Sequence, residues 1–138
     1  MDLAESSGDK GRYFAAAKDA GFYDLALKFA GEGRTDPRTL SRASRDFAGK
    51  QPSFAMTVGR LALERLFQGH GYEITSLDVL DAYRNFVAAA EKLGLKESAP
   101  GDAMAMANLA RLKQPTPFAD ALLRTITQEK STVFRVAR

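Results

Sequence analysis

Apolar residues recur along nearly the whole chain at spacings of three and four, the period at which side chains share one face of an α-helix. Glycine and proline fall between the periodic stretches, where they end or begin helices. The pattern predicts an all-α protein of six to seven helices, whose short connections favour antiparallel packing of neighbouring helices. Their predicted spans are 10–20, 22–30, 37 to a stop at Gly49, 52–68, 75–93, 102–113 and 117–129.

Two helix starts carry specific sequence signals. Asp36 precedes Pro37, so its carboxylate can cap the free amides while the proline takes a position where its missing N–H costs nothing. Thr75 is followed three residues later by Asp78, which is the pattern of a capping box. The helix from Thr75 to Leu93 has apolar residues on more than one side, which predicts that it is the central helix.

The apolar stripes also predict the core. On the first, second and fifth helices they place Tyr13, Leu25 and Leu77 on faces that we expect to pack against neighbouring helices.

The first two predicted helices meet at the segment Ala17-Lys18-Asp19-Ala20-Gly21-Phe22-Tyr23-Asp24-Leu25-Ala26-Leu27-Lys28-Phe29-Ala30. Small residues and a glycine stand at the crossing, an aromatic residue follows, and an Ala-Leu pair lies on the second helix. This arrangement resembles the turn between paired helices of tetratricopeptide-like repeats. The resemblance covers about 20 residues, and no second copy follows at the expected period of about 34 residues. It implies helical-hairpin packing, as at the diverged end of an α-solenoid.

Composition excludes several kinds of site. The 138 residues contain no cysteine and one histidine, so disulfides, cysteine-based metal sites and a multi-histidine metal site are excluded. Hydrophobic residues make up 45% and charged residues 27%, as expected of one globular domain. No run of apolar residues is long enough to cross a membrane, and we expect no cofactor.

The first residues differ from the rest in composition. Residues 1–9 are rich in Ser, Gly and Asp, and they predict a flexible lead-in to a single domain over residues 10–138. They are also typical of a linker that joins this domain to a longer protein. An acidic, polar start does not fit a secretory signal, so we expect a cytoplasmic protein.

One helix carries a row of arginines. Arg38, Arg42 and Arg45 recur at spacings of four and three, and Arg34 lies just before the helix. Guanidinium groups in such a row bind phosphates or acidic segments of a partner, which makes these four arginines the candidate partner-binding or anion-binding residues. The alternative is a solvated helix face on which Asp46 pairs with Arg42.

Residues suited to catalysis are sparse. His70 and Glu73 share a loop, but one histidine and one carboxylate do not complete a metal site, and a structural role is the simpler interpretation. Asp78 and Asp81, with Glu64 on the preceding helix, offer carboxylates, although the capping box already accounts for Asp78.

The sequence thus predicts a non-enzymatic helical module that binds another protein or the rest of a longer chain, as a complete domain or as the C-terminal part of a solenoid protein. The alternative is a domain that associates with nucleic acid, since the net charge is +3 and the basic excess lies in residues 101–138. An enzyme whose site is completed by another subunit is a third hypothesis. The basic residues that the nucleic-acid hypothesis would add to the arginine row are Arg124, Lys130, Arg135 and Arg138.

Overall fold

The protein folds as a stack of packed helices. A computed structural model describes residues 7–32, 35–69, 73–113 and 116–136, with side chains from residue 13 to residue 129 within these ranges. In them the chain forms seven helices and no strand, which confirms the predicted all-α class. The helices are α1 (Ser7–Asp19), α2 (Tyr23–Glu32), α3 (Pro37–Phe47), α4 (Pro52–Phe67), α5 (Ser76–Lys92), α6 (Ala99–Lys113) and α7 (Pro117–Val136).

The start signals in the sequence mark true helix boundaries. The Asp36 carboxylate accepts a hydrogen bond of 2.8 Å from the backbone N–H of Arg38, and α3 begins at Pro37. The capping box predicted at Thr75 is present at the start of α5. Since both signals satisfy amides that have no partner within the helix, each one sets where the helix begins.

Three boundaries differ from the prediction by three residues or more. Helix α1 begins at Ser7, so the last three residues of the predicted lead-in are helical. Helix α6 begins at Ala99 because Pro100 lies in its first turn, where a proline costs no hydrogen bond, and the predicted loop is correspondingly shorter. Helix α7 continues past the predicted end at residue 129.

The central helix is α4, where the sequence predicted α5. Helix α4 packs against α2, α3, α5, α6 and α7, whereas α5 packs against α3, α4, α6 and α7. Small residues on α4 explain the difference, because Ala55, Gly59 and Ala62 let neighbouring helices approach it closely. The prediction from apolar periodicity counted large apolar side chains and gave these small residues no weight. Half of its sixteen residues are buried.

Gly59 lies where α4 passes between α3 and α5. A methyl group added at this glycine would stand 2.8 Å from Ser44 Oγ and 3.1 Å from Phe86 Cα. The Ser44 hydroxyl donates a buried hydrogen bond of 2.7 Å to the carbonyl oxygen of Ala55, so it cannot turn away without losing that bond. The absence of a side chain at residue 59 therefore sets the spacing of three helices.

Four aromatic rings join the first four helices. Phe54 on α4 lies with its ring centroid 5.0 Å from that of Tyr23, 5.5 Å from that of Phe47 and 6.4 Å from that of Phe14. These separations are typical of stabilising aromatic pairs. Phe54 is thus the common contact of α1, α2 and α3 within this end of the core.

Some residues predicted in the core are exposed. Tyr13 and Leu25 are 37% and 43% exposed, although Tyr13 keeps one contact with the ring of Phe29. Leu77 is 67% exposed, because the buried face of α5 is the one that carries Val79 and Tyr83. The predicted turn between the first two helices is present, with Gly21 at a φ of +83° and Ala17 buried. A single helical turn of this kind does not test the resemblance to tetratricopeptide repeats.

Candidate functional site

A groove runs between α3 and α5 and contains three of the four candidate arginines. Its volume is about 340 Å³, and we call it the arginine groove. Both walls contribute charged side chains, which are Arg38, Arg42 and Arg45 from α3 and Asp78, Asp81 and Arg84 from α5. The spacing of three and four residues places each set on one face of its helix, so the two faces meet across the groove.

An ion pair closes one end of the groove. The Arg38 guanidinium lies 3.3 Å from both carboxylate oxygens of Asp78, and it also donates a hydrogen bond of 2.8 Å to the carbonyl oxygen of Glu73. Glu73 has a φ of 50°, a left-handed conformation that is uncommon for residues other than glycine. Arg38 therefore holds Glu73 and the start of α5 against α3.

A second link joins the walls further along. The Asn85 side-chain amide on α5 donates hydrogen bonds of 3.1 Å and 3.0 Å to the backbone carbonyl and the hydroxyl of Ser41 on α3. Buried Leu66 of α4 also lines the groove, beneath α3 and α5. The two helices that form the walls of the groove are therefore joined to each other before any partner binds.

Asp78 has two structural roles and is ionised. Partial burial alone raises the pKa of its carboxyl, but hydrogen bonds from the Thr75 backbone and from Arg38, together with the positive charge of Arg38, outweigh that effect. The pKa of Asp78 consequently lies below its ordinary value, and the same ion pair raises the pKa of Arg38. Both groups are charged at neutral pH.

Replacing Asp78 by asparagine is expected to cost stability at neutral pH and much less in acid. A carboxyl whose pKa is lowered by folding stabilises the protein above its unfolded value of 3.8 and loses that contribution as the pH falls through its folded value. At pH 7 the Asp78→Asn variant should lose about 0.5–2 kcal/mol of unfolding free energy, the scale of the charge-assisted hydrogen bonds and partly exposed ion pair that it weakens. Urea unfolding at about pH 7 and pH 3 measures the difference. Asp81→Asn is the matched control, and an equal loss for Asp78→Asn at both pH values would contradict the prediction.

The other arginines of the groove are open to a ligand. Arg42 donates one hydrogen bond of 3.4 Å to the Thr39 hydroxyl, and among the described residues neither Arg42 nor Arg84 forms an ion pair. Arg45 pairs with Asp46 at 2.9 Å, and both of these side chains are more than half exposed. Such an exposed pair is weak and exchanges readily for another anion.

The remaining sequence predictions have mixed outcomes. The expected pairing of Asp46 with Arg42 is wrong, because Arg42 lines the groove and Asp46 pairs with its immediate neighbour Arg45. Arg34 and His70 lie outside the described residues. Glu64 is not among the residues that line the groove.

Sequence reasoning missed the second wall. Arg84 belongs to no arginine row on α5, and only the packing of α5 on α3 brings it into the groove that Arg42 also lines. Leu77 was predicted in the core, yet it precedes Asp81 by four residues and lies exposed on the same face of α5. The exposure of Leu77 can be seen only in the structure, because the apolar period of the sequence assigns this residue to the core.

A second, larger groove lies beside the turn between α1 and α2. It has a volume of about 600 Å³ and is lined by apolar and aromatic residues, by polar residues and, among the residues that the structure describes, by a single charged one, Asp24. The apolar and aromatic residues are Phe22, Tyr23, Leu25, Leu27 and Phe54, and the polar ones are Gln51, Ser53 and Thr57. This groove therefore offers a mixed apolar and polar surface, in which one carboxylate gives little electrostatic selection of a partner.

Three further searches concern metal ligands, membrane-spanning helices and similar proteins. Within the part of the chain that the structure describes, no three histidine, aspartate or glutamate side chains are grouped to hold a metal ion. In the same ranges, no helix combines the length and apolar character needed to cross a bilayer. Comparisons with family models, with curated proteins and with solved structures find no match to this chain.

Proposed function

We propose that this chain is a non-enzymatic helical module that binds another protein, or another part of a longer chain, and that the arginine groove receives an acidic segment of that partner. One observation carries the proposal. Arg42 and Arg84 stand on opposite walls of a groove whose walls are tied together, and neither has an ion-pair partner among the described residues. A groove with an excess of unpaired guanidinium groups is complementary to carboxylates.

The chemistry of the groove favours a protein over a nucleic acid. Asp78 and Asp81 lie among the arginines, and carboxylates repel the continuous row of phosphates that a nucleic acid presents. Leu77, on the same face of α5 as Asp81, adds an exposed apolar contact. Arginine beside exposed apolar side chains is typical of protein interfaces.

The ionised state of Asp78 gives no support to a general acid in the groove. A general acid works best when its pKa lies near the working pH, and Asp78 has its pKa lowered by the contacts that make it a helix cap and an ion-pair partner. This supports the role of Asp78 as a structural residue of a docking surface.

Affinity capture from the organism that encodes the protein tests the proposal. We expect the immobilised wild-type chain to enrich a protein that an Arg42→Glu/Arg84→Glu variant does not retain, because the reversed charges repel an acidic segment. Treating the lysate with nuclease should leave the enrichment unchanged. The enriched protein is then purified and tested alone for binding, so that indirect capture is excluded.

The matched control reverses two exposed basic residues outside the groove. Lys28 on α2 and Arg124 on α7 are both exposed, and a Lys28→Glu/Arg124→Glu variant has the same net charge as the groove variant. It should retain the partner. Equal retention by the groove variant, or enrichment that disappears with nuclease, would contradict the proposal, and the latter result would favour the nucleic-acid alternative.

A further inference from the structure

Helix α6 is apolar on two opposite faces. Its inner face packs against α4, α5 and α7 and carries the buried residues Ala99, Ala103, Met106 and Ala107. The opposite side, which we call the outer face, is exposed at every position and consists of Gly101, Ala105, Asn108, Leu109 and Leu112. A helix that is apolar all round is typically buried all round, so the outer face is a surface that we expect a partner to cover.

Two leucines protrude from the C-terminal half of the outer face. Leu112 is 83% exposed, the largest fraction among the large hydrophobic residues that the structure describes, and Leu109 is 60% exposed. In the N-terminal half, a methyl group added at Gly101 would meet no atom within 4 Å. The outer face therefore has a raised apolar half and a recessed half, and contiguous exposed apolar surface of this kind marks interaction sites.

This order of sizes makes the outer face complementary to itself. A two-fold axis across the middle of α6 pairs the helix with a second copy in the antiparallel direction, so that the raised half of each copy lies on the recessed half of the other. Leu112 of one copy then lies over Gly101 of the second copy, and Leu109 lies near Ala105. Each leucine fills the space that a small residue leaves. A parallel pair would instead place leucine on leucine.

The charges beside the outer face favour the same arrangement. Asp102 and Lys113 are close to three helical turns apart, so both stand along one edge of this face, at opposite ends. In the antiparallel pair, Asp102 of one copy lies beside Lys113 of the second copy, and the contact occurs twice. Lys113 forms no ion pair within the described residues, and Asp102 has only an exposed contact of 3.7 Å with Arg60.

We propose that the outer face of α6 binds the same face of a second copy of this chain, with the two helices antiparallel. Helix α6 has 15 residues. A pair of single helices of that length buries less than the roughly 800 Å² per partner of a standard interface, so the dimer is weak, with a Kd of about 0.1 mM. The arginine groove lies between α3 and α5, and the inference does not depend on the proposed function.

Sedimentation velocity of the full chain tests the inference between about 0.01 mM and about 1 mM protein. We expect the mass to rise from 15.0 kDa towards twice that value. Leu112→Glu should weaken self-association at least about tenfold, because it brings charge into the contact. Leu77→Glu is the matched control, since Leu77 is 67% exposed but lies on α5, and it should associate like the wild type. Far-UV circular dichroism confirms that each variant is folded.

Disulfide cross-linking tests the direction of the two helices. The chain contains no cysteine, so a single introduced cysteine can link only to its own counterpart in a second copy. Asn108 lies near the middle of α6, and an Asn108→Cys variant should form a covalent dimer on mild oxidation. Gly101→Cys should not, because an antiparallel pair separates the two positions by about 18 Å, beyond the reach of a disulfide.

Three results would overturn the inference. A wild-type chain that stays a monomer at the highest concentration would leave the outer face to a partner of different sequence. Equal self-association of Leu112→Glu and Leu77→Glu would place the contact between copies elsewhere on the molecule. Cross-linking of Gly101→Cys as readily as Asn108→Cys would show a parallel pair, which the sizes and charges along α6 do not support.

Discussion

Truncating Phe54 to alanine is expected to destabilise the protein by about 3–5 kcal/mol, the usual cost of removing a buried phenylalanine side chain. Phe54 is 3% exposed, and its ring contacts three other aromatic rings on α1, α2 and α3. The variant loses the burial of its own ring and leaves a cavity among the other three. Since domains of this kind are stable by only about 5–15 kcal/mol, the loss is a large part of the total.

Urea unfolding followed by circular dichroism measures this effect, and the chain supplies a matched control. Phe22 lies near the same end of the molecule but is 63% exposed, so Phe22→Ala should change the unfolding free energy by no more than about 0.5 kcal/mol. Losses of similar size in the two variants would contradict the described packing of α4 against the first three helices.

Gly59→Ala is expected to destabilise the protein by about 1–3 kcal/mol, the typical cost of overpacking. The sign is informative, because the same change in an exposed helix stabilises by about 1 kcal/mol through higher helix propensity. At Gly59 the added methyl group meets the Phe86 backbone, which cannot move without shifting α5, and the Ser44 hydroxyl, which is held by a buried hydrogen bond.

Gly101→Ala is the control for this substitution. Gly101 lies within α6, is exposed, and has no atom within 4 Å of an added methyl group. The control should be neutral or slightly stabilised, while Gly59→Ala unfolds at a lower urea concentration. A stabilised Gly59→Ala variant would show that α3, α4 and α5 are further apart than described.

Helix positions could be predicted from the sequence because local chemistry decides them. Asp36 with Pro37, and Thr75 with Asp78, supply caps and a compatible first residue within a few positions of one another. Such signals depend on no distant contact, so the starts of α3 and α5 were predicted correctly. The glycines and prolines between the helices also indicate where one helix ends and the next begins.

Packing between helices could not be predicted in the same way. The role of Gly59 depends on Ser44 and Phe86, which lie 15 and 27 positions away in the sequence and approach only in the folded chain. Apolar periodicity gives small residues little weight, and it therefore predicted α5 as the central helix in place of α4. Leu77 shows the converse error, since an apolar residue in periodic register can still face away from the core.

The wall of the candidate site that α3 supplies could be predicted from the sequence. The spacing of Arg38, Arg42 and Arg45 predicted one face of α3, and all three line the groove. The sequence did not reveal that Asp78 pairs with Arg38, or that Arg84 lines the same groove as Arg42, because both facts depend on the packing of α3 against α5. The pairing of helices, more than the spacing within one helix, determines which arginines are available.

The dissociation constant between this chain and its purified partner, measured by isothermal titration calorimetry, shows whether the arginine groove is the docking surface. We expect Arg42→Glu/Arg84→Glu to weaken binding about a hundredfold, which is about tenfold for each arginine replaced, and Lys28→Glu/Arg124→Glu to bind like the wild type. Equal dissociation constants for the two variants would contradict the claim that the arginine groove is the docking surface.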